Sequence, residues 1–164
     1  MSVMEDSLEL TLKPEWDELN IVRERLEHFL TEHQFSVDDI HALIMVSSEL
    51  VENAIKYENS QNMTDKFEYS VDIEGRSTIV EVRNRILGND DLQLKKLDET
   101  IQWIRGYQNP FEAYVERLKL ISAKELGENE SGLGLTRIAY EGSSVLDFYV
   151  DENNVLAMSA VYQR

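Results

Sequence analysis

Cysteine is absent from this chain of 164 residues. Its absence excludes disulfide bonds, thiolate metal sites and thiol nucleophiles, and it fits a reducing compartment. Glycine and proline are scarce, with seven and two residues, and at 42% hydrophobic residues the composition is that of a globular domain. No apolar run approaches the roughly 20 residues of a membrane-spanning helix, and the N-terminus lacks the pattern of a signal peptide, so we expect a cytoplasmic protein.

Positive charge is also in short supply. The chain has 32 acidic and 16 basic residues, and its formal net charge is −16. Such a surface repels phosphate backbones and anionic lipids, so we expect neither nucleic acid nor a membrane surface as a partner. An anionic nucleotide would need a cation and well-aimed backbone N–H groups to bind here.

Hydrophobic periodicity predicts the element order β-α-α-β-β-(α-α)-loop-α-β-β within a single domain of residues 1–164. The strands are grouped in hairpins, with helices inserted between them. The predicted fold class is therefore α+β, a two-layer sandwich whose mixed, mostly antiparallel sheet is covered by helices on one face. A helical insertion of about residues 89–127 separates the two hairpins.

Several helix ends carry local signals. Pro14 suits the first turn of the first helix, and Ser36 followed by Asp39 resembles a capped start of the second. The second helix is predicted to end near Tyr57, where the sequence becomes polar and loses its pattern. Asn109, directly ahead of a proline, is typical of a further helix start.

The second predicted helix carries the first group of candidate functional residues. Glu49 and Asn53 are four residues apart, so their side chains leave the same face of the helix, and Lys56 follows on nearly the same side. A carboxylate, a carboxamide and an ammonium group could thus meet one ligand as a base, an oxygen donor for a hard cation and a phosphate partner. The alternative is a solvated stripe in which Glu52 and Lys56 form an ordinary i,i+4 pair.

The second candidate is the glycine-containing segment of residues 130–138. Here Gly132 and Gly134 precede a helix predicted over residues 135–141. Two glycines allow close approach of the backbone, and the N–H groups of a first helical turn form an anion site. The alternative is a plain turn that connects two helices.

Together the two segments resemble a known superfamily, the GHKL or Bergerat-fold ATPases, which includes histidine kinases and the anti-sigma-factor serine kinases. The stretch E-L-V-E-N-A-I-K-Y resembles its N-box, E-x-x-x-N-A-x-K followed by His or Tyr, and S-G-L-G-L-T-R-I resembles its second glycine box. The segments follow the superfamily's order, with one hairpin between them and one after them. The resemblance covers essentially the whole chain and implies a Bergerat, histidine kinase-like ATPase domain.

The resemblance implies a role for each matching residue. Glu49 would be the general base that accepts a hydroxyl proton, Asn53 would ligate Mg²⁺, and Lys56 would lie near the phosphates of ATP. The residues that would wrap the triphosphate are Gly132, Leu133, Gly134 and Leu135.

The superfamily's first glycine box, D-x-G-x-G, is altered here. Asn84 stands in place of the adenine-reading aspartate, Ile86 replaces a glycine, and Gly88 remains. An asparagine carbonyl can still accept a hydrogen bond from an adenine amino group, as a neutral acceptor. We therefore expect Asn84 and Gly88 to contact the nucleotide and Ile86 to narrow the base pocket.

An asparagine-type first box and helices in place of a short lid resemble the SiaB-type branch, whose small kinase-like members act on a serine or threonine of a partner. This resemblance implies a serine/threonine protein kinase of a bacterial partner-switching system that uses ATP and Mg²⁺. Its partner would be a small regulatory phosphoprotein or a STAS-like antagonist, and related kinases often form homodimers. Two alternatives stay open: a non-catalytic pseudo-kinase that sequesters a partner without ATP turnover, and a stand-alone ATPase in which Glu49 activates water.

Overall fold

The computed structural model describes residues 5–88, 91–107, 109–123 and 133–164. It confirms the predicted order of helices and strands. In chain order the elements are β1 (Ser7–Leu12), α1 (Glu18–Glu32), α2 (Val37–Ser60), β2 (Phe67–Glu74), β3 (Ser77–Arg85), α3 (Asp91–Arg105), α4 (Pro110–Ala123), α5 (Leu133–Tyr140), β4 (Ser144–Val150) and β5 (Val155–Gln163).

The five strands form one sheet in the order β1-β2-β3-β5-β4. Each of the four neighbouring pairs in this order is antiparallel, so the α+β class is confirmed, whereas the mixed sheet was a wrong expectation. The decisive pairing is that of β3 with β5, from Ser77 opposite Gln163 to Arg85 opposite Val155. Helix α5 leads the chain to the outer position of β4, and the final hairpin then brings β5 back into the sheet antiparallel to β3.

Three predicted helix boundaries need correction. Residues 14–17 form turns and α1 begins at Glu18, because Pro14 is followed by turn hydrogen bonds such as the one from the Glu18 N–H to the Glu15 carbonyl at 3.1 Å. Helix α2 continues past Tyr57 to Ser60. Helix α5 begins at Leu133, two residues earlier than predicted.

The predicted caps are confirmed in their main hydrogen bonds. Ser36 Oγ accepts a hydrogen bond from the Asp39 N–H at 3.1 Å, and Asn109 Oδ1 accepts one from the Phe111 N–H at 3.0 Å. The Asp39 carboxylate accepts a hydrogen bond from the Tyr162 hydroxyl. The first turn of α2 is therefore fastened to β5, which places α2 across the sheet.

The core lies between the sheet and the helices. Along β3 the side chains that face the helices are buried, whereas Arg83 and Arg85 on the other face are exposed. Helix α2 contributes an apolar stripe that is continuous along its length. The buried residues on this side of α2, which include a serine and a glutamate, are Ile40, Leu43, Val46, Ser47, Leu50, Val51, Ala54, Ile55 and Glu58.

Helix α5 packs closely on α2 through the glycine that follows it. A Cβ atom on Gly142 would collide with Val46 Cγ2 of α2 and would lie 2.6 Å from the Ile138 carbonyl oxygen. The lack of a side chain at position 142 thus allows α5 to lie against α2. In the described ranges no helix is both long enough and apolar enough to cross a membrane.

We predict that Gly142→Ala lowers the free energy of unfolding by about 2 kcal/mol, because the added methyl group must displace Val46 or the α5 backbone. Urea denaturation followed by circular dichroism measures the change. Gly75→Ala is the control, since nothing lies within 4 Å of its Cβ position and its φ of 62° tests backbone strain alone. A loss for Gly142→Ala no larger than that for Gly75→Ala would contradict the tight packing of α5 on α2.

Candidate functional site

The two candidate segments of the sequence meet at one cavity. Glu49, Asn53 and Lys56 of α2 line it, and Gly134 and Leu135 at the start of α5 line it from the other side. The cavity has a volume of about 710 Å³ and also borders β3, α3, α4 and β5. This volume falls in the range of small-molecule and cofactor sites, which is about 300–1,000 Å³.

Glu49 lies at the contact between α2 and α5. Its side chain is 14% exposed, and Oε1 accepts a hydrogen bond from Arg137 Nη1 at 2.9 Å. The other oxygen, Oε2, lies directly against Gly134, where a Cβ atom would collide with it. Both carboxylate oxygens therefore lie against the first two turns of α5.

The electrostatic surroundings of Glu49 act in opposite directions. Burial raises the pKa of this carboxyl and the nearby Glu52 raises it further, whereas Arg137 and Lys56 lower it. The net direction is upward from the ordinary value of 4.5. A carboxylate with a raised pKa is a stronger base, so the surroundings favour proton acceptance at this position.

Arg137 is a site residue that the sequence reasoning did not single out. It lies three residues after Gly134, which is nearly one helical turn, and its Nε also donates to Glu141 Oε2 at 3.1 Å. The available signal was an arginine three residues after a glycine at the start of a helix, since the two then lie on nearly the same side of that helix. Its partner Glu49 is 88 positions away in sequence, so their pairing could not be read from local pattern.

Gly134 has a different setting from the one expected. It was predicted in a loop ahead of the helix, but it belongs to the first turn of α5. Its role in the structure is to let the Glu49 carboxylate reach the helix backbone. Gly132 lies outside the described residues, and for Leu133 the structure describes the backbone alone.

Asn84 and Ile86 form the other end of the cavity. Both side chains line it and both are 5% exposed, so Ile86 occupies space at this end of the cavity. Gly88 does not line this cavity. A Cβ atom there would lie 3.1 Å from Asn154 Nδ2, in the turn between β4 and β5, and the Ile86 N–H donates to the Asn154 carbonyl at 2.8 Å.

Side chains of α3 and α4 complete the cavity. Leu94, Leu97 and Trp103 of α3 line it together with Lys96 and with Arg117 of α4. The Arg117 guanidinium lies over the Trp103 ring at 5.5 Å from the ring centroid, a cation–π arrangement. Burial lowers the pKa of Arg117. The cavity therefore combines apolar walls with cationic groups and with the acids Glu49 and Glu99.

A buried acid lies beside Asn84. Glu58 is fully buried, and within the described parts of the chain neither of its carboxyl oxygens has a hydrogen-bond partner. Burial and the nearby Asp65 raise the pKa of Glu58 to about 7. The Asn84 side chain lowers this pKa, although it does not reach hydrogen-bonding geometry.

Sequence reasoning missed Glu58 because a charged residue after the predicted helix end was interpreted as part of a loop. The available signal was its position four residues after Ala54 and three after Ile55, which places it on the buried side of the helix.

The site thus belongs to an α+β domain in which a five-stranded antiparallel sheet and its helices enclose a ligand-sized cavity. The chain is similar in fold to one chain of the crystal structure of the SiaB–SiaC complex from Pseudomonas aeruginosa. The TM-score is 0.73 at 20% sequence identity, and the match covers 94% of this chain and 88% of that chain. No protein-family model and no curated protein matches the sequence.

We predict that Glu58→Gln stabilises the protein increasingly as the pH rises from 5 to 8. The folded-state pKa of about 7 lies above the ordinary value of 4.5, so folding favours the protonated acid. Below pH 4.5 ionisation costs nothing, and the penalty grows until the pH exceeds 7. Thermal unfolding of wild type and variant across this range measures the difference, with the exposed Glu27→Gln as control. A difference that does not change with pH would contradict a buried, ionising Glu58.

Proposed function

We propose that this chain is a Bergerat-type serine/threonine protein kinase of a bacterial partner-switching system, which binds MgATP and phosphorylates a small regulatory partner protein. The observation that carries the proposal is the convergence of Glu49, Asn53 and Lys56 with the start of α5 on one cavity of about 710 Å³. This is the arrangement implied by the resemblance of the two sequence segments. The fold shared with a chain of the SiaB–SiaC complex adds support, because that chain is found assembled with another protein.

The cavity offers different chemistry at its two ends. At one end Asn84 presents an amide among apolar side chains such as Val82 and Met158, which suits a flat heterocyclic base. Toward the other end Glu49 and Asn53 lie on successive turns of α2, and Lys56 follows one turn nearer to Asn84. Together these three side chains suit phosphates and a cation. A nucleotide would lie with its base against β3 and its phosphates between α2 and α5.

A hard cation fits the donor set that is present. Mg²⁺ is commonly held by one or two protein oxygens together with substrate phosphates and water, and here the Asn53 amide oxygen would be the protein ligand. Among the described residues no cluster of three histidine or acidic side chains forms a metal site made of protein alone. When bound, the cation would neutralise phosphate charge, which is valuable in a chain of net charge −16.

The proposed reaction transfers the γ-phosphoryl group to a hydroxyl of the partner. The hydroxyl oxygen forms a bond to the γ-phosphorus as the bond from that phosphorus to the bridging oxygen of ADP breaks. Glu49 accepts the hydroxyl proton, and its raised pKa favours this step. Arg137 holds Oε1 of Glu49, so Oε2 would have to separate from Gly134 to receive the proton.

A second candidate, the non-catalytic module that sequesters its partner, is favoured by one observation. Both oxygens of Glu49 are covered, one by Arg137 and the other by Gly134, and the buried Ile86 takes up room at the base end. Calorimetric titration with MgATP and MgADP separates the two candidates. Heat of binding supports the kinase, whereas its absence supports the sequestering module.

We predict that Glu49→Gln slows phosphoryl transfer about 10²–10⁴-fold, because an amide cannot take the hydroxyl proton. Transfer of labelled phosphate from ATP to the small regulatory partner protein measures the rate, and calorimetry is expected to show that ATP binding persists. Glu27→Gln, which makes the same chemical change on the exposed side of α1, should react like the wild type. Undiminished transfer by Glu49→Gln would remove the assignment of the base.

We further predict that Arg137→Gln moves the acid limb of the pH–rate profile to higher pH. Arg137 lowers the pKa of Glu49, so its removal raises that pKa and the base becomes ionised only at higher pH. The transfer rate measured across the acid and neutral pH range reports the shift. The control is Arg83→Gln, on the open face of the sheet. An acid limb that stays in place would show that Arg137 does not tune the base.

A further inference from the structure

Glu58 is a buried acid beside Asn84, behind the end of the cavity that would hold the base. It continues the buried stripe of α2 beyond Ala54 and Ile55, and its side chain is fully buried. Both carboxyl oxygens lack a hydrogen-bond partner within the described residues. A buried carboxyl in this condition destabilises the fold, because its desolvation is not compensated.

The nearby polar side chain that also reaches the cavity is that of Asn84. It is 5% exposed, lies beside Glu58, and forms part of the cavity wall. Asparagine carries two N–H donors at one end of its amide and an acceptor oxygen at the other. An ionised carboxylate can accept hydrogen bonds and cannot donate them. Glu58 in its ionised form therefore favours the amide orientation with Nδ2 toward Glu58 and Oδ1 toward the cavity.

The orientation of this amide decides which ring the cavity accepts. Apolar side chains surround Asn84, among them Val82, Ile86 and Leu156. In such a setting an unmatched polar contact is costly. An outward acceptor oxygen matches the 6-amino donor of an adenine-type purine, whereas the 6-oxo group of a guanine-type purine would face it acceptor to acceptor.

We propose that Glu58 is a positioning residue that fixes the Asn84 amide with its oxygen toward the cavity, and so makes the site select a 6-amino purine over a 6-oxo purine. The inference rests on the proposed nucleotide-binding function and adds to it a specificity determinant. An uncharged amide and a buried acid would together do what the adenine-reading aspartate of the first glycine box does alone.

The test is calorimetric titration of the full chain with MgATP and MgGTP at a pH above the pKa of Glu58. We expect the wild type to prefer ATP. Glu58→Gln should reduce the ratio of the dissociation constant for GTP to that for ATP about tenfold. Glutamine can donate or accept, so it no longer fixes the amide. Glu27→Gln should leave the ratio unchanged. A purely structural role of Glu58 would weaken both nucleotides equally and leave the ratio as it was.

A rescue variant sharpens the test. Asn84→Asp presents an acceptor oxygen in either orientation, and the glutamine amide introduced by Glu58→Gln can donate to it. We therefore expect the combination of Glu58→Gln with Asn84→Asp to regain the preference for ATP. A combined variant that discriminates no better than Glu58→Gln alone would argue against the proposed coupling.

The pH provides a readout that needs no variant. With a pKa of about 7, Glu58 becomes protonated as the pH falls through neutrality, and its O–H can then donate to Asn84 Oδ1 and turn Nδ2 toward the cavity. The ATP preference of the wild type should fall over this interval. Asp65 and Asn84 are the groups that act on Glu58, and Asp65→Asn should move the transition to lower pH.

The outcomes separate the inference from the function on which it rests. If the wild type binds neither nucleotide, both are overturned. If it binds ATP in preference to GTP and Glu58→Gln keeps the same ratio, Glu58 has no positioning role and the nucleotide-binding function stands. If Glu58→Gln does not fold, a pH-independent ratio in the wild type overturns the inference by itself.

Discussion

The contact between the Glu49 carboxylate and the start of α5 is the interaction on which the site depends. A carboxylate that is 14% exposed needs a compensating charge, and Arg137 supplies it at 2.9 Å. The contact also needs a residue without a side chain at position 134, so that the carboxylate can reach the helix backbone. Gly142, beyond the other end of α5, allows the same helix to lie against Val46. These features together close one end of the cavity.

Charge gives the cavity a second distinctive property. The chain carries a formal net charge of −16, yet Lys56, Lys96 and Arg117 line this one cavity and Arg137 lies beside it. Two acids, Glu49 and Glu99, line the same cavity, so its wall carries charges of both signs in a protein whose formal charge is strongly negative. The basic groups offset part of the negative field there, which the rest of an acidic surface does not do.

Local pattern was enough to predict the order of the elements and the caps at Ser36 and Asn109, because both depend on residues close in sequence. It also indicated that Glu49, Asn53 and Lys56 share a helix face. Local pattern did not predict the antiparallel pairing of β3 with β5 or the Glu49–Arg137 ion pair, since each joins residues that are distant in sequence. The end of α2 was misplaced because Glu58 is polar, and its burial depends on packing against β3 that the sequence does not display.

Helix α2 carries both Glu49 and Glu58, nine residues apart on one uninterrupted helix. At 1.5 Å per residue this separation corresponds to about 13.5 Å along the helix axis. The distance between Glu49, at one end of the cavity, and Glu58, behind the other end, is therefore fixed by one continuous helix. A movement of α3 or α4 would change the width of the cavity and leave this length as it is. One dimension of the site is thus fixed by a helix, and the other depends on where α3 and α4 lie.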